Sequence, residues 1–166
     1  MFSKKEDFLM ALKNEHMATI KVFEMIDESK KAVKLNDNLR TLERMAWHIT
    51  QSVTEMPHKV GLVDEDYLDN KPIPATIKEL ISEYKKYGKM IAESVKSKWT
   101  DDDLQKGTNL YGEMWKNGQT LYAIIVHEIH HRGEMIALMR ALDMKVPGIY
   151  GPAKEEWSNF GMPAME

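Results

Sequence analysis

The chain has 166 residues, 43% of them hydrophobic and 30% charged, and its 23 basic and 26 acidic residues leave a net charge of −3. These figures fit one globular domain over residues 1–166; without a basic stripe they exclude a nucleic-acid binder, and no run reaches the ~18 apolar residues of a membrane span. There is no cysteine, and Met1–Asp7 turns acidic before any apolar segment, so the expectation is a cytoplasmic protein whose metal ligands, if any, are histidines and carboxylates.

The first helix is expected over Lys5–Lys34, with Phe8, Leu12, His16, Ile20, Phe23 and Ile26 recurring at intervals of three and four. His16 lies on that stripe and reads as a core histidine with a hydrogen-bonded ring. Asn36-Asp37-Asn38 marks a turn and a cap. The second helix is expected over Arg40–Val60, on Leu42, Met45, Ile49, Val53 and Met56, with Pro57 breaking or kinking its end. His48 flanks this apolar face. A crossing loop is expected over Gly61–Ala75, then a third helix over Ala75–Ser97 with Ile77, Leu80, Ile81, Tyr84, Ile91 and Val95 inward.

Between Lys98 and Asn117 the periodicity fails, and a connection of that kind is often functional. Asp101-Asp102-Asp103 reads as capping acids, since the glycine and terminal glutamate of a calcium loop are not in place. The last long helix is expected over Gly118–Met144, with Leu121, Ile124, His127, His131, Met135, Leu138 and Leu142 on one stripe. Lys154–Trp157 suggests a short final helix. With no strand pattern evident, the expected fold is all-α, an antiparallel four-helix bundle with a long connection before its last long helix. Bundles build metal sites from side chains on facing helices.

The stripe of the last helix carries the anomaly. His127 and His131 are about one turn apart, so both rings project from one face and can meet one ion. Buried imidazoles are costly unless both nitrogens are satisfied. A third ligand must come from elsewhere: His16, His48, His58, His130 or a carboxylate, with His48 the best placed, His58 expected at the surface, and His130 either an alternative partner of His127 or a surface residue. His127-Glu128-Ile129-His130-His131 also matches the H-E-x-x-H zinc-protease signature, in which the glutamate is the general base. The extended pattern is absent, since Gly133 comes one position early and Ala137 stands where a further histidine belongs.

Five stretches make the chain resemble the DinB / YfiT-like superfamily of metal-binding four-helix proteins. They are Met45-Ala46-Trp47-His48-Ile49 with Glu55-Met56; Tyr111-Gly112-Glu113-Met114-Trp115; His127 through Glu134; and Lys145 through Pro152. The resemblance implies a fold of that type and a metal triad of His48, His127 and His131. Three neutral imidazoles leave positions on the ion open, as in a catalytic site. Zinc or nickel is the expected ion, with iron also suited. Where family members commonly carry glutamine, this chain has Glu134.

The resemblance further implies a homodimer, and a transferase that activates a low-molecular-weight thiol such as bacillithiol for attack on an electrophile. The catalytic base is unassigned, with Glu128 the nearest candidate. Tyr111, Trp115 and Arg132 are candidate pocket residues. The competing expectations are a non-catalytic metal-binding stress-response protein and a metal-dependent hydrolase.

Overall fold

Apolar side chains spaced three and four apart give four helices one buried face each: α1 (Lys5–Glu24), α2 (Leu42–Lys59), α3 (Ile77–Lys98) and α4 (Asn117–Ala141). The computed structural model describes residues 1–164. Phe8, Leu12 and Phe23 from α1, Ile49 and Val53 from α2, Leu80, Tyr84 and Ile91 from α3, and Leu121 and Met135 from α4 share one core. Around the bundle each of α1 and α2 touches both α3 and α4, so α1 and α2 lie on a diagonal.

The directions follow from end-to-end contacts. Phe2 N donates to Gly118 O at one end, and Lys30 Nζ to Leu142 O at the other, so α1 and α4 run parallel. The loop after α2 runs back along that helix: Thr54 Oγ1 donates to Asp66, Gln51 Nε2 to Leu68 O and Trp47 Nε1 to Lys71 O. The chain therefore re-enters α3 in the direction of α2. The antiparallel relation holds for the neighbours α1/α3 and α2/α4, and the latter pair carries the site.

Three expectations need correcting. The first helix stops at Glu24, not Lys34, because Asp27 Oδ1 accepts Ser29 N (2.8 Å) and Ser29 Oγ (2.7 Å), a local turn that competes with helix. Pro57 does not break α2; it lies in the last turn, where little helix remains to lose. The connection before α4 contains strands, β1 (Gly107–Leu110) and β2 (Glu113–Lys116), paired antiparallel. Tyr111 (φ 54°) and Gly112 (φ 87°) are both left-handed, as a two-residue hairpin turn requires.

Of the three expected capping acids Asp103 acts as one, its Oδ2 accepting Thr100 N and Thr100 Oγ1 at 2.7 Å; Asp101 does not cap the 3₁₀ turn over Asp102–Gln105 that follows it and accepts Lys5 N at 2.9 Å instead. The short final helix is a 3₁₀ segment, Lys154–Phe160, pinned to α4 by Arg140 and Glu155. No helix among the described residues is long and apolar enough to cross a membrane.

Candidate metal centre

α2 and α4 pass each other in opposite directions and bring His48 against His127 and His131. His131 Nε2 lies 3.1 Å from His48 Nε2 and 3.1 Å from His127 Nε2. The rings meet nearly edge-on, with interplanar angles of 67° to 81°, so they converge through nitrogen and do not stack. Three nitrogens ligating one ion at ~2.0–2.1 Å with ~90–109° between them stand about 2.8–3.4 Å apart. The cluster fits a divalent transition metal, and it is a group of residues that could hold one.

The electrostatics favour the neutral, ligand-ready form. Burial, reinforced by the facing His131, lowers His48 to about 4. His127 is lowered to about 4 by the same two causes in the same order. His131 Nδ1 is 2.6 Å from Glu134 Oε2, and that hydrogen bond is the main reason Glu134 is held below the usual carboxylate range. A proton on Nδ1 leaves the Nε2 lone pair of His131 facing the cluster. His127 Nδ1 is buried and has no such partner.

On one side of the cluster opens a polar cavity of about 380 Å³, lined by His48, Gln51, Glu55, His58, Lys59, Asp66 and Asp69. Lys59 Nζ is 3.6 Å from Glu55 and 5.2 Å from the Tyr111 ring centre, and Tyr111 OH donates to Glu55 at 3.2 Å. The hairpin thus reaches the cavity rim through Tyr111. Trp115 stands beside Tyr111 with its indole N–H on Glu113, and it does not line the cavity. His58 is exposed at the end of α2 but is a wall of this cavity. His130 is exposed and shares Glu134, its Nε2 lying 3.4 Å from Oε1.

Glu128 and Arg132 point elsewhere. Glu128 is 1% exposed on the α1/α3 side, where its Oε1 accepts Thr19 Oγ1 at 2.6 Å and Tyr84 OH at 2.5 Å. Burial raises its carboxyl, against the pull of those two donors. Its other oxygen is 3.5 Å from His16 Nε2, and neither atom has a hydrogen-bond partner among the described residues. The H-E-x-x-H match therefore has its glutamate aimed away from the histidines. His16 is a core histidine as expected, but the hydrogen bond expected of its ring is not found among the described residues; burial lowers His16 to about 4, and its ring packs on Tyr84 at 4.5 Å. Arg132 donates to Glu15 and to Tyr150 OH at 2.5 Å each, tying the segment after α4 to α1.

Spacing made the His127/His131 pair visible. The residues it did not reveal come from other elements: Gln51 and Glu55 on α2, Asp66 and Asp69 on the returning loop, and Arg40, whose charge acts on His48, His127 and Glu134. Only a knowledge of how that loop lies on α2 assembles them.

The chain is similar to known proteins along its whole length. It is 33% identical over 164 residues to the uncharacterized protein YrdA of Bacillus subtilis, covering 99% of this chain and 98% of that one. A DinB-like protein from Bacillus cereus has a crystal structure that superposes with a TM-score of 0.80 at 30% identity, covering 90% of this chain and all of the other. A second DinB-like structure, YjoA of B. subtilis, shares the fold with a TM-score of 0.69 at 16% identity over 86% of this chain and 96% of its own. With residues 1–165 matching the family as a whole, this chain belongs to the DinB family.

Proposed function

We propose that the protein is a metal-dependent transferase that activates a low-molecular-weight thiol of the bacillithiol kind, with zinc or nickel held by His48, His127 and His131. The observation that carries this reading is the convergence of three imidazole nitrogens beside a polar cavity, with no fourth His or carboxylate among the described residues joining that group. Held by these three histidines, a divalent ion would supply the positive charge that lowers the pKa of a nearby thiol. The sulfur then supplies the electron pair of a new S–C bond. The bond from that carbon to its leaving group breaks with its own pair, and the thiol proton passes to solvent.

The chain's part is binding and orientation. Glu134 holds the His131 ring by its Nδ1 proton. Lys59, Glu55, Asp66 and Asp69 offer both signs of charge to a hydrophilic thiol bearing amino and carboxylate groups. Glu128 has no role as base in this reading, and the hydrolase alternative loses with it the base that the H-E-x-x-H match offered, because Thr19 and Tyr84 hold that carboxylate on the α1/α3 side.

A second reading, a non-catalytic metal protein, draws on the fact that the three histidines come from two helices, so an ion would tie α2 to α4. Elemental analysis of untagged protein, with His48→Ala alongside, tests the triad; wild-type metal content in the mutant sinks it. Conjugation of a thiol to a test electrophile then separates the two readings. Metal retained with no turnover on any of several thiols, and a large loss of thermal stability on chelation, favours the structural ion.

A further inference from the structure

The histidine cluster has a second flank, opposite in character to the first. Along the α2/α4 seam the polar cavity lies toward Glu55, which is two turns after His48. In the other direction Met45 is one turn before His48, and on α4 Leu138 is about two turns beyond His131, ~10 Å at 1.5 Å per residue. There the loop between α1 and α2 lays Leu35 and Leu39 against the two helices. The result is a concavity of about 300 Å³ lined by Leu35, Leu39, Met45, Ala137, Leu138 and Ala141, with Glu134 at its edge. Glu134 is the same residue that bonds His131 Nδ1, so this concavity begins where the cluster ends.

We infer that this apolar concavity is the subsite for the alkyl tail of the electrophile, whose reacting carbon would lie beside the sulfur while the tail runs to the opposite flank from the body of the thiol. The inference rests on the thiol-transferase reading and deepens it by naming the second substrate's class. Three observations select a small aliphatic group as the occupant. The volume is that of a small-molecule pocket. The lining is aliphatic throughout, with no aromatic face for a planar ring to stack on and Glu134 as its one charged member. Leu35 and Leu39 are each 42% exposed, leaving apolar surface that an alkyl chain would cover.

A second copy of the chain is the other conceivable occupant. Seven side chains make a patch far smaller than the ~20–30 residues a side of a standard protein interface. The polarity split also matches what the reaction needs. A hydrophilic thiol and an apolar electrophile approach one ion from separate walls, and neither has to displace the other.

The test uses the full-length, zinc-loaded protein and a series of n-alkyl hydroxamates from acetyl to octanoyl, whose heads bind the ion and whose tails report the wall. Calorimetric affinity is expected to rise about fourfold per added methylene until the concavity is full. In protein labelled with methyl-13C methionine, the Met45 signal should move with the long members of the series and not with acetyl. Leu39→Asp and, separately, Ala137→Leu should flatten the dependence on chain length, with unchanged zinc content showing that each variant is folded. Affinity independent of chain length, a Met45 signal that stays put, or a slope that survives in both variants overturns the subsite. A dimer that Leu39→Asp splits in sedimentation assigns the concavity to a second copy and also overturns it. The two layers fail separately: a full slope with no thiol conjugation removes the transferase, and with it the electrophile, and leaves the concavity as an alkyl-binding wall of the metal site. Conjugation of polar electrophiles with a flat slope does the reverse.

Discussion

Glu134 Oε2 accepts the Nδ1 proton of His131 at 2.6 Å from one turn further along α4, while Nε2 of the same ring stands 3.1 Å from both His48 and His127. One carboxylate thus fixes which nitrogen faces the cluster. Removing such a partner typically costs 10–100-fold in metal affinity. Glu134→Ala should lose about that much, read by competition with a chromophoric chelator, while Glu134→Gln, whose amide oxygen still accepts the proton, should lose less. Equal affinity in Glu134→Ala and wild type would mean that the helix alone orients His131.

The His131–Glu134 relation also shows what sequence can and cannot deliver. An i, i+3 pair on one helix is legible as soon as the helix is, and so is the i, i+4 pair of His127 and His131. His48 is different. It flanks an apolar stripe as many core histidines do, and resemblance, not spacing, singled it out. Asp66 and Asp69 were beyond reach because the loop after α2 has no period; its register is set by Thr54, Gln51 and Trp47 side chains bonding to it. The hairpin escaped because four-residue strands are too short to display alternation. The end of the first helix was written in Asp27 and Ser29, a turn signal overridden by the apolar Ile26 beside it.

Acidification should weaken both the apo fold and metal retention. His16, His48 and His127 are each held at about 4, against an ordinary 6.5, with burial the first cause in every case. Between those values the unfolded chain binds protons that the native state does not, so stability rises with pH through this window and falls as pH drops from about 6.5 toward 4. Glu128 acts in the opposite direction, since burial raises its carboxyl and favours the protonated native form. Three imidazoles against one carboxyl set the sign. The melting temperature of chelator-treated protein should be several degrees lower at pH 5 than at pH 7.5. A flat profile would count against neutral, desolvated rings.

Glu128 should prove to be a structural residue. Arg132 donates to Thr19 at 3.1 Å, Thr19 donates onward to Glu128, and Tyr84 meets the same oxygen from α3. Tyr84→Phe removes one of two donors from a fully buried carboxyl and should cost about 1–3 kcal/mol in denaturant unfolding, with metal content unchanged. Glu128→Gln keeps an oxygen for both donors and should retain metal and any thiol-transfer activity. Loss of turnover in Glu128→Gln with metal and stability intact would restore the glutamate of the H-E-x-x-H match as a catalytic group.

Gly88 and His16 make the sharpest packing test. A Cβ at position 88 would stand 2.2 Å from His16 Cε1 and 2.3 Å from Nδ1. Intrinsic propensity alone favours alanine over glycine inside a helix by about 1 kcal/mol. The overlap opposes this: Tyr84 at 4.5 Å and Glu128 at 3.5 Å back the His16 ring, so it can yield only by turning out into the groove that it lines with Gly88, giving up those contacts. Overpacking of this kind costs about 1–3 kcal/mol, so the net effect of Gly88→Ala should be a loss of stability and a melting temperature lower by several degrees. Pairing it with His16→Ala should recover the propensity gain, leaving the double mutant more stable than the sum of the single changes. Metal content should hold throughout, because His16 and Gly88 belong to the α1/α3 face, across α4 from the His48 cluster. A higher melting temperature in Gly88→Ala alone would show that the His16 ring yields freely, and with it the view of this face as rigid would fall.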